Sequence, residues 1–287
     1  PVSFCTGFLF TLACRWMLGS GGSSVARVYV WESAGAVAGA LAVTILLVRG
    51  INEETLFFCM SLAPTLMFGL YKLRGGSRAA GFIPFLVVTV ALLSGAGERW
   101  SAAANRHTWQ RVLSTSSPAG SFTTANAEYL YGSYGDQFNV VAWETVADTI
   151  PATEHASEIA ALHLAQRPEA RRFLVAGQGA YSICRRLLEL PQTGAVTWCS
   201  SDPDYPSQLL QILPERFQSG NERLDLPGED MRRWLEQTRE RYDVIILDLP
   251  DATTLALNRY FTKEFFQLLK AHLTESGMLG VRVSAGE

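Results

Sequence analysis

The first 98 residues carry only ten charged side chains: Arg15, Arg27, Glu32, Arg49, Glu53, Glu54, Lys72, Arg74, Arg78 and Glu98. Long apolar runs lie between them. A helix needs about 20 mainly apolar residues to cross a bilayer core, whereas a soluble helix buries one stripe and keeps charge on its other face. Four segments meet or approach that length: Pro1 to Leu18, Val28 to Val48, Thr55 to Tyr71 and Gly81 to Gly97. Polar, glycine-rich turns from Gly19 to Ser24 and from Arg74 to Arg78 separate some of them. The pattern predicts a multi-pass α-helical membrane domain over residues 1–98, with at least four helices packed in the lipid bilayer. The chain opens at Pro1 inside an apolar run and stops at Glu287 just past a strand, so both ends are expected to be incomplete.

Details of the apolar half agree with that reading. Gly35 and Gly39 form a small-residue face where another helix is expected to pack. Glu32 lies beside Tyr29 and Trp31 near a helix end, the place of an interfacial acid. Pro64 and Pro84 are tolerable in spanning helices whose neighbours satisfy the freed carbonyls. No cluster of intramembrane charge supports a transporter. By the positive-inside rule, Arg15, Arg27, Lys72, Arg74 and Arg78 outweigh Arg49, Arg99, Arg106 and Arg111 by five to four. That majority of one leans toward a C-terminal domain outside the cytoplasm and does not fix its side.

Residues 99–287 differ. They hold 18 Lys and Arg against 23 Asp and Glu, a net of −5. A mildly acidic domain offers no electrostatic footprint for nucleic acid. The five cysteines, Cys5, Cys14, Cys59, Cys184 and Cys199, show neither a disulfide framework nor metal-ligand spacing, and read as small buried hydrophobes. Residues 99–120 are polar and read as a linker. Short β-type runs separated by turns follow from Ser121 to Ile150 and predict a small antiparallel β-hairpin region, completing a segment 99–150.

From Pro151 on, helix and strand alternate. Strands are expected at Arg172 to Ala176, Ala195 to Cys199, Tyr242 to Leu247 and Met278 to Val283. Helices are expected at Ser157 to Gln166, Tyr181 to Leu190, Tyr205 to Leu213, Gly228 to Thr238 and Thr262 to Leu273. This order predicts a Rossmann-like, methyltransferase-type, doubly wound α/β domain over residues 151–287. Ligands of such folds bind at the carboxyl ends of strands, so the positions after Ala176, Cys199 and Leu247 matter most. The first is followed by Gly177 and Gly179, which allow a tight turn and close backbone approach to a ligand, though a lone GxG equally serves a plain strand-to-helix turn. The third is followed by Asp248 and Asp251. Such a pair can hold a cationic amine and accept its proton, and can equally be two solvated strand-end acids.

The stretch from Tyr242 to Asp251, with Asn258 to Phe266 behind it, resembles the spermidine-synthase-like (aminopropyltransferase) family. There a strand of the type YDVII ends in D-S-S-D and is followed by a segment like L-F-T-x-E-F-Y. Asn258 to Thr262, together with Val25 to Tyr29 and Glu32 to Gly35, resembles the membrane-fused branch. That resemblance implies an integral protein of a bacterial-type inner membrane. It also implies that Asp248 is the general base that takes a proton from the attacking amine and that Asp251 is the second carboxylate. Gly177, Gly179, Asp202 and Asp230 would hold decarboxylated S-adenosylmethionine, with a polyamine as the acceptor.

The departures from the family weigh against turnover. Its glycine loop reads G-G-G-D-G-G; here Ala180 stands at the loop carboxylate, followed by Tyr181 and Ser182. Its second strand ends V-E-L-D, and Ser200 stands at the Glu that grips the ribose. Its D-E-x-x-Y segment is replaced by Ala152 to Ala156, with Glu158 kept. Two lost carboxylates, at roughly 1.5–3 kcal/mol for each charge-assisted hydrogen bond, weaken nucleotide binding on the order of 10²–10⁴-fold. The sequence therefore predicts a degenerate, non-catalytic homologue that binds no cofactor and serves as a scaffold or accessory subunit beside other membrane proteins. The alternative is an active membrane-bound aminopropyltransferase.

Overall fold

The computed structural model describes residues 14–15, 24–49, 51, 53–74, 79–114, 117–218, 221–252 and 254–283. They fall into two compact units, Pro1–Ala104 and Asn105–Glu287.

The first unit is helical. Helix α1 (Ser24–Val48) has 25 residues, and its stretch Ala26–Val48 is long and apolar enough to cross a membrane. Helix α2 (Glu53–Arg74) contains Pro64, and its apolar stretch Thr55–Leu70 is shorter. Hydroxyls inside the helix back-bond to the preceding turn: Ser61 Oγ donates to the Phe57 carbonyl at 2.8 Å and Thr65 Oγ1 to the Ser61 carbonyl at 2.7 Å. The expected first span, Pro1 to Leu18, lies outside the described residues except for Cys14 and Arg15.

One expectation needs correction here. The segment 81–97, expected as one span, is a 3₁₀ turn (Ala79–Phe82), an eleven-residue helix α3 (Ile83–Leu93) and a break. At Gly95, whose φ of +70° suits glycine, the chain turns by 67° into α4 (Ala96–Leu113). Among the described residues, no atom lies within 4 Å of a Cβ built at Gly35 or Gly39, so the neighbour expected on that face is not among them. Close packing instead falls at Gly69, where a Cβ would stand 2.7 Å from the Phe82 ring, and at Gly97, where it would overlap Thr55. Helix α2 rather than α1 is the partner of the turn and helix that follow it.

The expected linker is also corrected, because residues 99–113 continue α4. The run Ala102 to Ala104 favours helix, and the last turns carry an apolar stripe. In the second unit Trp109 is fully buried and packs with Val112 and Leu113 against Leu130 and Val141. That stripe lies on one face of a four-stranded antiparallel sheet of order β1 (Gly120–Thr123), β2 (Glu128–Tyr134), β3 (Gln137–Ala142) and β4 (Thr145–Ile150). The alternate side chains Tyr129, Phe138, Val140 and Ile150 face the main core.

That core surrounds a five-stranded parallel sheet of order β7-β6-β5-β8-β9. The strands are β5 (Arg172–Ala176), β6 (Ala195–Cys199), β7 (Leu224–Asp225), β8 (Tyr242–Leu247) and β9 (Leu273–Val281). The helices are α5 (Thr153–Gln166), α6 (Tyr181–Leu188), α7 (Tyr205–Ile212), α8 (Met231–Gln237), α9 (Leu255–Asn258) and α10 (Lys263–Ala271). Alternation along β5 divides them between two faces. Phe173 and Val175 point to Ile183 and Leu187 of α6, while Leu174 and Ala176 point to Met231 of α8 and Leu269 of α10. The two-residue β7 is too short to leave a pattern in the sequence.

Candidate functional site

The neighbouring strands β6, β5 and β8 end together, and backbone hydrogen bonds carry the ladder one step past them. Gly177 N–H donates to the Cys199 carbonyl at 3.1 Å, and Asp248 N–H to the Ala176 carbonyl at 2.8 Å. Arg282 N–H donates to the Leu247 carbonyl at 2.9 Å. The indole of Trp198 also donates to the Gly177 carbonyl at 2.8 Å. A Cβ at Gly177 would overlap the Asp248 carbonyl oxygen, and one at Gly179 would stand 3.0 Å from the Ala147 carbonyl oxygen. Both glycines are thus required by the chain's own close approach.

Asp248 is the acid at the centre of this rim. Its side chain is 7% exposed and both oxygens are engaged. Arg282 Nη1 donates to Oδ1 at 3.2 Å, and Oδ2 lies 3.3 Å from His155 Nε2 at the start of α5. Neither partner was singled out in the sequence, since Arg282 lies past β9 and His155 lies in the segment that departs from the family. Asp251, three residues on, is exposed.

Asp202 and Ser200 lie beyond β6, and both are buried. Ser200 Oγ accepts from the Asp202 N–H at 3.1 Å. Asp202 Oδ2 accepts from Thr124 Oγ1 at 2.6 Å and from Tyr129 O–H at 2.7 Å. Its Oδ1 is buried with no partner among the described residues. Gln178, between the two glycines, donates to the Tyr129 oxygen at 2.6 Å. The Tyr129 ring packs 4.9 Å from both Phe122 and Tyr205. Burial, and then the Asp202 carboxylate, push the Tyr129 hydroxyl well above its ordinary range. The β-hairpin region therefore fills the space beside the glycine loop with its own aromatic and hydroxyl groups.

Asp230 caps α8. Its Oδ1 accepts from the backbone N–H groups of Arg232 and Arg233 at 3.1 and 3.4 Å. Its Oδ2 accepts from Arg259 Nη2 and Tyr260 O–H, both at 2.5 Å. The Arg259 guanidinium also stands 4.7 Å over the Tyr260 ring. Burial and Asp230 together raise the Tyr260 hydroxyl. Ala180 is fully buried, and the next residue, Tyr181, donates its O–H to the Phe217 carbonyl at 3.1 Å. Loop positions that in the family hold a carboxylate and glycines hold core side chains here.

One titratable group escaped the sequence reading. Asp148 on β4 is buried, accepts from Tyr205 O–H at 3.2 Å, and is raised to about 7 by burial first and by the Asp248 charge last. The signal was available: Asp148 and Ile150 alternate onto the same inward face, so an acid sits where β-periodicity demands an apolar residue. Cys184 and Cys199 are buried free thiols, and burial raises both. The described residues contain no group of three or more His, Cys, Asp or Glu placed to hold a metal.

Comparison with known proteins agrees with this layout. Residues 153–282 match the Spermine/spermidine synthase domain family. The chain is 28% identical over 122 residues to polyamine aminopropyltransferase 2 of Ralstonia nicotianae, covering 40% of this chain and 24% of that protein. It is 31% identical over 118 residues to the polyamine aminopropyltransferase of Oceanobacillus iheyensis, covering 39% of this chain and 23% of that one. The chain thus spans about a quarter of the length of these curated relatives. Among solved structures, spermidine synthase in complex with the transition-state analogue AdoDATO aligns with a TM-score of 0.50 at 18% identity, covering 57% of each chain. At that identity the likeness speaks for the fold alone.

Proposed function

We propose, from the match of residues 153–282 to the Spermine/spermidine synthase domain family, that the chain is a degenerate, non-catalytic homologue of that family. In this reading it is a scaffold or accessory subunit, anchored in a bacterial-type inner membrane by its apolar N-terminal helices and bound to other membrane proteins there. One observation carries the proposal: the acids that would serve a ligand are already engaged by the chain's own donors. Asp248 is bridged by Arg282 and His155, Asp230 by Arg259, Tyr260 and two backbone amides, and Asp202 by Thr124 and Tyr129.

A general base must be open to the proton it takes. An incoming ammonium would have to displace Arg282 from Asp248, trading one charge-assisted pair for another at no net gain. A nucleotide would have to displace Tyr129 and Arg259 without the carboxylates missing at Ala180 and Ser200. Anchoring rests on the apolar stretch Ala26–Val48. Calorimetry on the full chain in detergent tests the proposal. Decarboxylated S-adenosylmethionine and methylthioadenosine are expected to give no binding heat at micromolar concentration, and micromolar affinity for either would overturn the reading.

A second reading is favoured by the buried Oδ1 of Asp202, which has no partner among the described residues and could still accept one hydrogen bond, as from a ribose hydroxyl. There the chain is an active aminopropyltransferase. The amine nitrogen of a polyamine attacks the aminopropyl carbon, the carbon–sulfur bond of the sulfonium breaks, methylthioadenosine leaves, and Asp248 accepts the amine proton after Arg282 moves aside. Aminopropyl transfer lost on Asp248→Asn would establish it.

A further inference from the structure

A pocket of about 310 Å³ opens between the first turns of α5 and the length of α6. It shares no residue with the rim around Asp248. Its floor is apolar, from Pro151 and Ala156, and its walls carry hydrogen-bond donors. On α6 these are Arg185 and Arg186, with Glu189 as the only acid in the lining. Glu189 cannot satisfy both cations. It takes one hydrogen bond from Arg186 Nη1 at 2.9 Å and meets Arg185 Nε at 3.6 Å, beyond hydrogen-bond reach. Two guanidiniums carry ten N–H donors between them. Both terminal nitrogens of Arg185 and Nη2 of Arg186 have no acceptor among the described residues.

On the α5 side, Thr153 and Ser157 line the pocket, and their hydroxyls also have no partner among the described residues. Ser182 reaches across, accepting from the Ala152 N–H at 2.9 Å, and fixes the α5 start against α6. Ala152 supplies no side-chain cap, so the first-turn amides of this 14-residue helix have no side-chain acceptor. The lining is therefore rich in free donors and poor in acceptors, with a net positive charge and a volume at the lower end of small-molecule sites.

We infer that this pocket binds a small organic anion, a phosphate monoester or a carboxylate, with Arg185 and Arg186 gripping the anionic group and Thr153 and Ser157 completing its hydrogen bonds. Planar guanidiniums suit both oxyanions, and the apolar floor accepts the carbon part of the ligand. Calorimetric titration of the full chain in detergent with inorganic phosphate and, separately, with acetate, at constant ionic strength, tests this and tells the two sources apart. Saturable binding of at least one anion below roughly 10 mM is expected. The double variant Arg185→Gln and Arg186→Gln should weaken it by about tenfold or more. Ser157→Asp places a carboxylate in the pocket from a half-buried position near the start of α5 and should weaken binding as much while leaving the circular dichroism unchanged. No saturable binding of either anion, or parental affinity in Ser157→Asp, would overturn the inference. Because decarboxylated S-adenosylmethionine is a cation bound elsewhere in the family fold, the outcome here is independent of the calorimetry proposed for the strand-end site.

Discussion

At the scale of single residues, the polar groups of the second unit separate by how much water their partners keep. Asp248 is nearly buried, yet Arg282 and His155, which hold it, are 57% and 41% exposed. Pairs with one wet partner contribute modestly, because water replaces much of the interaction that the released cation gives up. Asp248→Asn is therefore expected to change stability by no more than about 1 kcal/mol in urea unfolding. A loss above about 3 kcal/mol would mark the pair as buried in effect. Asp148 is the opposite case. Burial raises its folded-state value to about 7 from 3.8, so the folded protein holds a proton that the unfolded chain releases. A raised acid makes folding weaker as pH rises. The penalty is absent below about pH 4, grows between pH 4 and 7, and is complete above that, at up to about 4 kcal/mol. Asp148→Asn should remove this slope and raise the melting temperature at pH 8 but not at pH 4. Equal effects at both pH values would contradict it.

At the scale of elements, the parallel strands and their helices were legible because each carries its own period. The strand Tyr242 to Leu247 is a near-continuous apolar run ending in an acid, and α6 and α10 place apolar residues on one stripe. What was not legible depends on contacts made far away in sequence. Residues 99–113 look like a linker because their large apolar residues, Trp100, Trp109, Val112 and Leu113, are few, and the value of the last three appears once Leu130 and Val141 are seen against them. The same holds for the site. Asp202, Asp230 and Asp248 could be named from the resemblance, but their partners Tyr129, Arg259 and Arg282 come from other elements, and no local spacing announces them. Two substitutions probe this long-range packing. Trp109→Ala should cost about 3–5 kcal/mol, since it empties a fully buried site. Gly177→Ala should cost about 1–3 kcal/mol, because the new methyl meets the Asp248 backbone, which cannot swing away as a side chain could. Both are read by denaturant unfolding followed by tryptophan fluorescence. A neutral Gly177→Ala would show that the strand ends can part, and would reopen room for a ligand there.

At the scale of the whole molecule, α1 and the second unit differ in how much apolar surface they expose. The second unit buries most of its large apolar side chains, with Trp143 and Leu255 among those left exposed, whereas α1 exposes Trp31, Val37, Leu41, Ile45 and Val48. In water that exposure would be costly, at about 25 cal/mol for each Å² of apolar surface. In hydrocarbon it costs nothing, and a helix that satisfies its own backbone hydrogen bonds is one of the two forms a bilayer accepts. The 23 residues of Ala26–Val48 rise about 35 Å at 1.5 Å each, enough to cross a core of roughly 30 Å with modest tilt. Arg27, the second residue of that stretch, and Arg49, just past it, mark its two ends, and long cationic side chains at helix ends reach the headgroups. The spanning reading therefore requires these two positions to face opposite aqueous compartments. Single cysteines at Arg27→Cys and Arg49→Cys, in a chain freed of its native cysteines and held in intact vesicles, should react with an impermeant maleimide from opposite sides. Labelling of both from the same side would mean that α1 lies on the membrane or packs against another protein, and would remove the main support for anchoring.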